Sequence, residues 1–255
     1  MFRNRLSGFA ASIPPVTKNL IIINFIIWLV EALFPRASAM IIGHLGLHYF
    51  TASDFNPVQI VTYMFVHAPG SPFHVFFNMF TLWMFGSLLE RIWGSKRYFI
   101  FYFVCGIGAA IVQETVWALT YMGEYTEAIA AMNGMTVAHM RDIIDRALAA
   151  GDHDFLAAIA DFKNSMVTIG ASGAVFGVIL GFAFVFPDRP LYLFFIPVPI
   201  KAKYMMIGYG VIEFFLGVGG NDMVAHFAHL GGMLFGLAIL LYWKKKGILR
   251  GGSFY

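Results

Sequence analysis

Hydrophobic residues fall in six long runs separated by polar or charged stretches. The runs cover residues 19–34, 72–89, 97–121, 166–187, 204–218 and 224–243. Because a helix needs ~20 apolar residues to cross a bilayer, runs near this length are typical of transmembrane helices. The fifth run is short and rich in glycine, and the first contains Glu31. The pattern predicts an all-α polytopic membrane protein with six transmembrane helices.

Composition supports this prediction and excludes other classes of protein. Hydrophobic residues make up 59% of the 255 residues and charged residues 12%, with a mean hydropathy of +0.73. Soluble domains average about 25% charged residues, so a soluble or disordered chain is excluded. The scattered net charge of +3 gives no nucleic-acid footprint. The single cysteine, Cys105, allows no internal disulfide or cysteine metal cluster.

The positions of Lys and Arg predict the orientation. Basic residues cluster within 1–18, 91–97, 189–203 and 244–255, which all fall on one side of a six-span topology. Because cytoplasmic loops carry the excess of Lys and Arg, both termini are expected in the cytoplasm. The domain organisation is then a cytoplasmic segment (1–18), a six-helix membrane domain (19–243) and a cytoplasmic tail (244–255). No organellar transit peptide is apparent, which favours a bacterial cytoplasmic membrane.

Residues 122–165 form a polar insertion between the third and fourth runs. The segment contains seven acidic and three basic residues, and the topology places it outside. Thr136 can cap a helix that runs to about Ala150. Gly151 can end that helix, and Asp152 can start another. The expected product is a small external helical insertion.

Four polar side chains lie inside the runs, where polar groups are costly and mark functional sites by default. They are His74 and Asn78 in span two, Ser172 in span four and His229 in span six. In the predicted topology these three spans all run from outside to inside. Each residue lies close to the outer end of its span, at a depth of ~3–10 Å. The four side chains therefore share one shallow layer.

The residue types in this layer fit nucleophilic catalysis. A hydroxyl and an imidazole at one depth can form a nucleophile and base pair, here Ser172 and His229. Small residues beside them allow close approach of helices and substrate. These small residues are Gly170, Gly173, Gly232 and Gly236.

Other polar residues are candidates for stabilising the oxyanion, or weaker candidates for the base. His74 and Asn78, four residues apart, project from one helix face and can stabilise an oxyanion together with the backbone N–H of Ser172. His226 lies off the glycine face of span six and is the weaker candidate for the base. Asp222 precedes span six, and no intramembrane aspartate completes a triad. The simpler prediction is a Ser–His dyad.

Each motif also has a purely structural interpretation. An intramembrane serine usually bonds a carbonyl of its own helix, glycine stripes usually serve helix packing, and a histidine near a helix end is commonly an interfacial anchor. A transporter or channel would place polar residues near the midplane, and Glu31, Glu114 and Glu213 form no evident pathway. Glu213 has no role in any of these interpretations. The agreement in depth and topology favours a catalytic site.

At these residues the sequence resembles the rhomboid family of intramembrane serine proteases, over about residues 15–243. The motifs are His74-x-x-x-Asn78, Glu90-x-x-x-Gly94, Gly170-x-Ser172-Gly173 and His229-x-x-Gly232-x-x-x-Gly236. The sequence departs from the family pattern in two ways. It has Gln59 to Tyr63 in place of a Trp-Arg pair in the first external loop, and the insertion is unusually long.

The resemblance implies an intramembrane serine endopeptidase that cleaves peptide bonds in or near transmembrane segments of membrane proteins. It implies Ser172 as nucleophile, His229 as base, His74 and Asn78 at the oxyanion hole, and Phe176 packed on the imidazole. It also implies that span five is a lateral gate, and that the enzyme needs no metal or cofactor. Its partners would be transmembrane substrates and the bilayer, and the oligomeric state is left open.

One alternative within the same family remains. Some rhomboid-like proteins bind transmembrane helices without cleaving them, and these commonly lose the serine or the histidine. Both residues are present here, which favours the protease.

Overall fold

The described part of the chain folds as a set of helices with two small two-stranded sheets. The computed structural model describes residues 13–193, 196–219 and 225–249. The helices are α1 (Pro15–Leu33), α2 (Pro35–Leu45), α3 (Gln59–Thr62), α4 (Pro72–Thr81), α5 (Ser87–Trp93), α6 (Ser95–Met132), α7 (Val137–Ala150), α8 (His153–Ser165), α9 (Ser172–Val185), α10 (Ala202–Gly219) and α11 (His226–Lys245). The predicted roles of residues 1–12, Asp222 and the last residues of the tail lie outside the described residues.

Among the described residues, four helical segments are long and apolar enough to cross a membrane by length and composition. They are α1, the continuous segment 72–93, α6 and α11. Within 72–93 a π-helical turn at Leu82–Gly86 joins α4 to α5. The apolar helix α9 has 14 residues and α10 has 18, so the count of six spans stays a prediction.

Several predicted boundaries were wrong. The first helix begins at Pro15 rather than at residue 19, because proline is well suited to the first turn of a helix. Helix α6 continues to Met132, so residues 122–132 extend the third helix instead of beginning the insertion. The segment contains no proline, and its alanine and glutamate residues favour a helix past the end of the apolar run.

The prediction of a purely α fold was wrong at two places. Strand β1 (Leu47–His48) pairs antiparallel with β2 (Val167–Thr168), and β3 (Pro190–Leu193) pairs with β4 (Ile196–Lys201). Because residues 167–168 are held by β1, helix α9 begins at Ser172 and not at residue 166. Pro197 and Pro199 lack an N–H and cannot continue a helix, which leaves their segment as a short strand.

The two helices predicted for the insertion are present as α7 and α8. The hydroxyl of Thr136 accepts a hydrogen bond from the His139 N–H, and Gly151 ends α7 in the left-handed conformation, with φ at +66°. Asp152 caps α8 through the N–H groups of Asp154 and Phe155. Both helices pack on the end of α6 around a second small core. This core comprises Tyr125, Ala130, Met140, Ile144 and Ile159.

The carboxylate of Glu90 in α5 accepts hydrogen bonds from the first turns of α1 and α6. Its Oε1 accepts from the Val16 N–H at 3.0 Å and from the Ser95 hydroxyl at 2.7 Å. Its Oε2 accepts from the N–H and the hydroxyl of Thr17, both at 2.8 Å. The first N–H groups of a helix have no partner inside it, so the carboxylate satisfies them for α1. Gly94, with φ at +78°, then turns the chain into α6.

Helices α9 and α11 meet at backbone distance, which brings the predicted site together. A Cβ added to Gly232 of α11 would lie 1.8 Å from the carbonyl oxygen of Gly173 in α9. Only glycine is compatible with such an approach. Two other glycines are also enclosed by α6. A Cβ added to Gly173 would lie 2.5 Å from the Ala109 Cβ, and a Cβ added to Gly236 would lie 3.2 Å from the Cys105 Sγ.

Candidate active site

Ser172 is the first residue of α9, directly after a sharp change in chain direction. The N–H of Gly170 donates to the Tyr63 carbonyl at 3.0 Å, and the φ of Gly170 is +125°, a conformation that favours glycine. The Ser172 side chain is half-buried. The unpaired N–H groups and the positive dipole end of a helix lie at this point, where they can stabilise a developing negative charge.

His229, in the first turn of α11, lies against the serine. Its Nε2 is 2.8 Å from the Ser172 Oγ, a distance suited to proton transfer. The Phe176 ring stacks on the imidazole with centroids 4.2 Å apart and an angle of 9°. His229 is only 7% exposed. Packing and burial therefore hold the imidazole in one plane, facing the hydroxyl.

Glu213 of α10 contacts the other side of the same imidazole, and the sequence analysis gave it no role. Its Oε2 lies 2.8 Å from His229 Nδ1 and 2.6 Å from His226 Nδ1. The signal in the sequence is that Glu213 is the one charged residue inside the apolar run 204–218. His226 thus contacts the same carboxylate as His229, and it is His229 whose Nε2 lies at the Ser172 hydroxyl.

Glu213, His226 and His229 also form a set of possible metal ligands. Their donor atoms lie within 4.8 Å of one another. Two imidazole nitrogens and one carboxylate oxygen suit Zn²⁺. The same atoms, however, already form the hydrogen bonds described above.

His74 and Asn78 lie on α4, and His74 lies near the serine. A Cβ added to Gly170 would lie 3.2 Å from His74 Nε2 and 3.7 Å from Ser172 Oγ, so the imidazole and the hydroxyl flank this glycine. The Asn78 Nδ2 lies 3.4 Å from the Nε2 of His67. An amide group has two N–H donors, so this contact leaves one N–H of Asn78 for a further acceptor.

His67, a residue that the sequence analysis did not single out, supports this side of the site. It lies in the loop before α4, fully buried, and its ring centroid is 5.1 Å from that of His74. Its N–H donates to Glu31 Oε2 of α1 at 3.2 Å. Burial, with a smaller effect of His74, lowers the pKa of His67 from 6.5 to about 3. His67 is therefore neutral near pH 7.

Comparison with known protein families identifies the family of the chain. A family model described as the Rhomboid domain matches residues 54–246. The chain belongs to the rhomboid family. This match spans all four sequence motifs and the helices α4 to α11. No curated protein matches the chain. Rhomboid proteins are integral membrane proteins that generally act as intramembrane serine proteases on transmembrane substrates.

Proposed function

We propose that this rhomboid protein is an active intramembrane serine endopeptidase. The observation that supports the proposal is the 2.8 Å distance between Ser172 Oγ and His229 Nε2, at the buried junction of α9 and α11. A rhomboid protein that only bound helices would have no need for a nucleophile and base in hydrogen-bonding contact. The proposed substrates are membrane proteins with a transmembrane segment, and no cofactor is required.

The reaction follows from the chemistry of this pair. The hydroxyl oxygen of Ser172 attacks the scissile carbonyl carbon while His229 Nε2 takes the hydroxyl proton. The resulting oxyanion lies near the N-terminus of α9, where the Ser172 N–H, His74 and the free Asn78 N–H are the proposed donors. His229 then gives its proton to the leaving amine, and the acyl-enzyme remains. Water attacks the acyl-enzyme through His229, which releases the carboxylic acid and restores Ser172.

The predicted topology fits this chemistry. Water must reach Ser172, so a site close to one membrane surface is favourable, and the predicted depth of ~3–10 Å provides it. We propose six spans, with α9 and α10 as the fourth and fifth, and both termini in the cytoplasm of a bacterial cell. Helices α7 and α8 then lie outside the cell.

The test combines cleavage and active-site labelling. The purified protein is reconstituted with a model substrate whose transmembrane segment has small residues at its outer end, and is separately treated with a fluorophosphonate probe. Ser172→Ala and His229→Ala are expected to abolish cleavage and labelling. Matched controls are Ser165→Ala and His153→Ala in the exposed parts of α8, which should retain both. A folded wild-type protein that neither cleaves nor labels would contradict the proposal.

A further inference from the structure

A buried carboxylate lies between two imidazoles at the contact of α10 with α11. Glu213 is 8% exposed, and its Oε2 approaches the Nδ1 atoms of both His226 and His229. Ala202, Met206 and Glu213 are the buried residues of α10, so the carboxylate lies on the one face of this helix that packs inward. A buried carboxylate in an apolar protein is costly unless it is paired. Glu213 has such pairing.

The protons in this cluster have a consistent arrangement. If Ser172 is to be activated, its O–H must donate to His229 Nε2, so Nε2 carries no proton. A neutral imidazole has one N–H, which is then on Nδ1 and points at Glu213 Oε2. A carboxylate only accepts hydrogen bonds, so it selects this tautomer. A second N–H, from His226 Nδ1, holds the same oxygen in place.

We propose that Glu213 is a positioning residue of the Ser172–His229 pair. Its carboxylate fixes the orientation and tautomer of His229 and stabilises the imidazolium that forms when Nε2 takes the serine proton. The charge interaction is strong because little water lies between the groups. The proposal rests on the proposed function, since it assigns Glu213 to the same reaction.

The contact of Glu213 with His229 also makes the geometry of the site depend on the position of α10. Ser172 and His229 lie on α9 and α11, whose positions are set by backbone contact, whereas Glu213 belongs to a third helix. Many of the large apolar side chains of α10 are exposed, among them Ile207, Phe215 and Val218. The carboxylate contact with two histidines is therefore a principal polar link between α10 and the site.

The first test compares isosteric and charge-preserving variants. Glu213→Gln keeps the size and one acceptor but loses the charge, and Glu213→Asp keeps the charge on a shorter side chain. We expect kcat to fall about 10³-fold to 10⁴-fold in Glu213→Gln with KM little changed, as for loss of the carboxylate in a serine protease triad. Glu213→Asp should retain more activity than Glu213→Gln. The matched control is Glu114→Gln, a half-buried carboxylate of α6 that accepts from the Phe50 N–H outside the site.

A purely structural link would give the opposite order. In that case Glu213→Gln, which preserves shape and hydrogen bonding, would be as active as the wild type and Glu213→Asp less active. This result would overturn the inference. Because a wild type without Ser172-dependent cleavage would overturn the proposed function itself, the two failures are distinguishable.

The second test needs no Glu213 variant. The ¹⁵N chemical shifts of the histidine rings in the wild-type protein report which ring nitrogen carries the proton, and the two signals of His229 are assigned by their loss in His229→Gln. We expect protonated Nδ1 and unprotonated Nε2 in the resting enzyme, and the Nε2–H tautomer would overturn the inference.

Cleavage should also persist in EDTA. Loss of activity that Zn²⁺ restores would mean that the cluster acts as a metal site.

Discussion

Replacing Gly232 by alanine tests whether a backbone contact sets the catalytic geometry. The added Cβ would lie 1.8 Å from the Gly173 carbonyl oxygen, whereas non-bonded atoms normally approach to about 3.5 Å. Helices α9 and α11 must therefore separate by roughly 1.5 Å at this point. No flexible side chain can yield, because the obstacle is the backbone itself.

The displacement acts directly on the site. Gly232 is less than one turn after His229, and Gly173 follows Ser172. A separation of about 1 Å between these residues extends the 2.8 Å contact of Nε2 with Oγ beyond hydrogen-bonding distance. Since a misplacement of about 1 Å can cost 10²-fold in rate, we expect labelling and cleavage to fall by about 10²-fold or more.

The assay is the rate at which the fluorophosphonate probe labels Ser172. The thermal unfolding midpoint of each variant is measured as well, to show that the variant is folded. The matched control is Gly208→Ala in α10, where a Cβ would meet no atom within 4 Å. Both changes add one methyl group to a helix, and in the control this should be neutral or stabilising. If folded Gly232→Ala is labelled at the wild-type rate, the contact between the helices does not set the geometry of the site.

Four further predictions concern other parts of the molecule. Asn78→Ala should lower kcat by about 10²-fold if the amide donates to the oxyanion, whereas wild-type kcat would remove it from the site. Phe176→Ala removes the ring stacked on His229, and should lower kcat with a smaller effect on KM, measured by substrate titration. Glu90→Ala leaves helix-initial N–H groups without their partner, and should destabilise the fold by about 2–5 kcal/mol in denaturant unfolding, with Glu124→Ala as an exposed control. Because the pKa of His67 is about 3 in the fold and 6.5 is the ordinary value, the unfolded chain binds a proton that the fold does not, so the free energy of unfolding should decline as pH falls from about 6.5 towards 3. A His67→Gln variant with the same slope would contradict this assignment.

Local signals predicted the helices of the insertion well. The caps at Thr136 and Asp152 and the left-handed turn at Gly151 depend on residues within one turn of each other. The start of α9 could not be found in this way. Residues 167–168 are extended because they pair with Leu47 and His48, which are distant in sequence. The apolar run 166–187 contains no signal of that pairing.

The candidate site was predicted in part. Ser172 and His229 stood out because they are polar residues at one depth in apolar segments, and the structure places them in contact. Glu213 was recognisable as an unusual charge, but its partner could not be assigned. Glu213 and His229 are 16 residues apart on different helices, and only the packing of α10 on α11 shows that the carboxylate reaches His229 Nδ1.

Two groups of buried polar side chains each include a predicted site residue. In one cluster Glu31 and Asn78 contact His67, and in the other Glu213 contacts His229. Packing alone would not require either cluster, because apolar side chains of similar size would join these helices without the cost of burying charge. In the proposed mechanism, the first cluster holds Asn78, a proposed oxyanion donor, and the second holds His229, the proposed base. We therefore interpret these two networks, each of which holds a predicted site residue, as support for the proposed chemistry at Ser172.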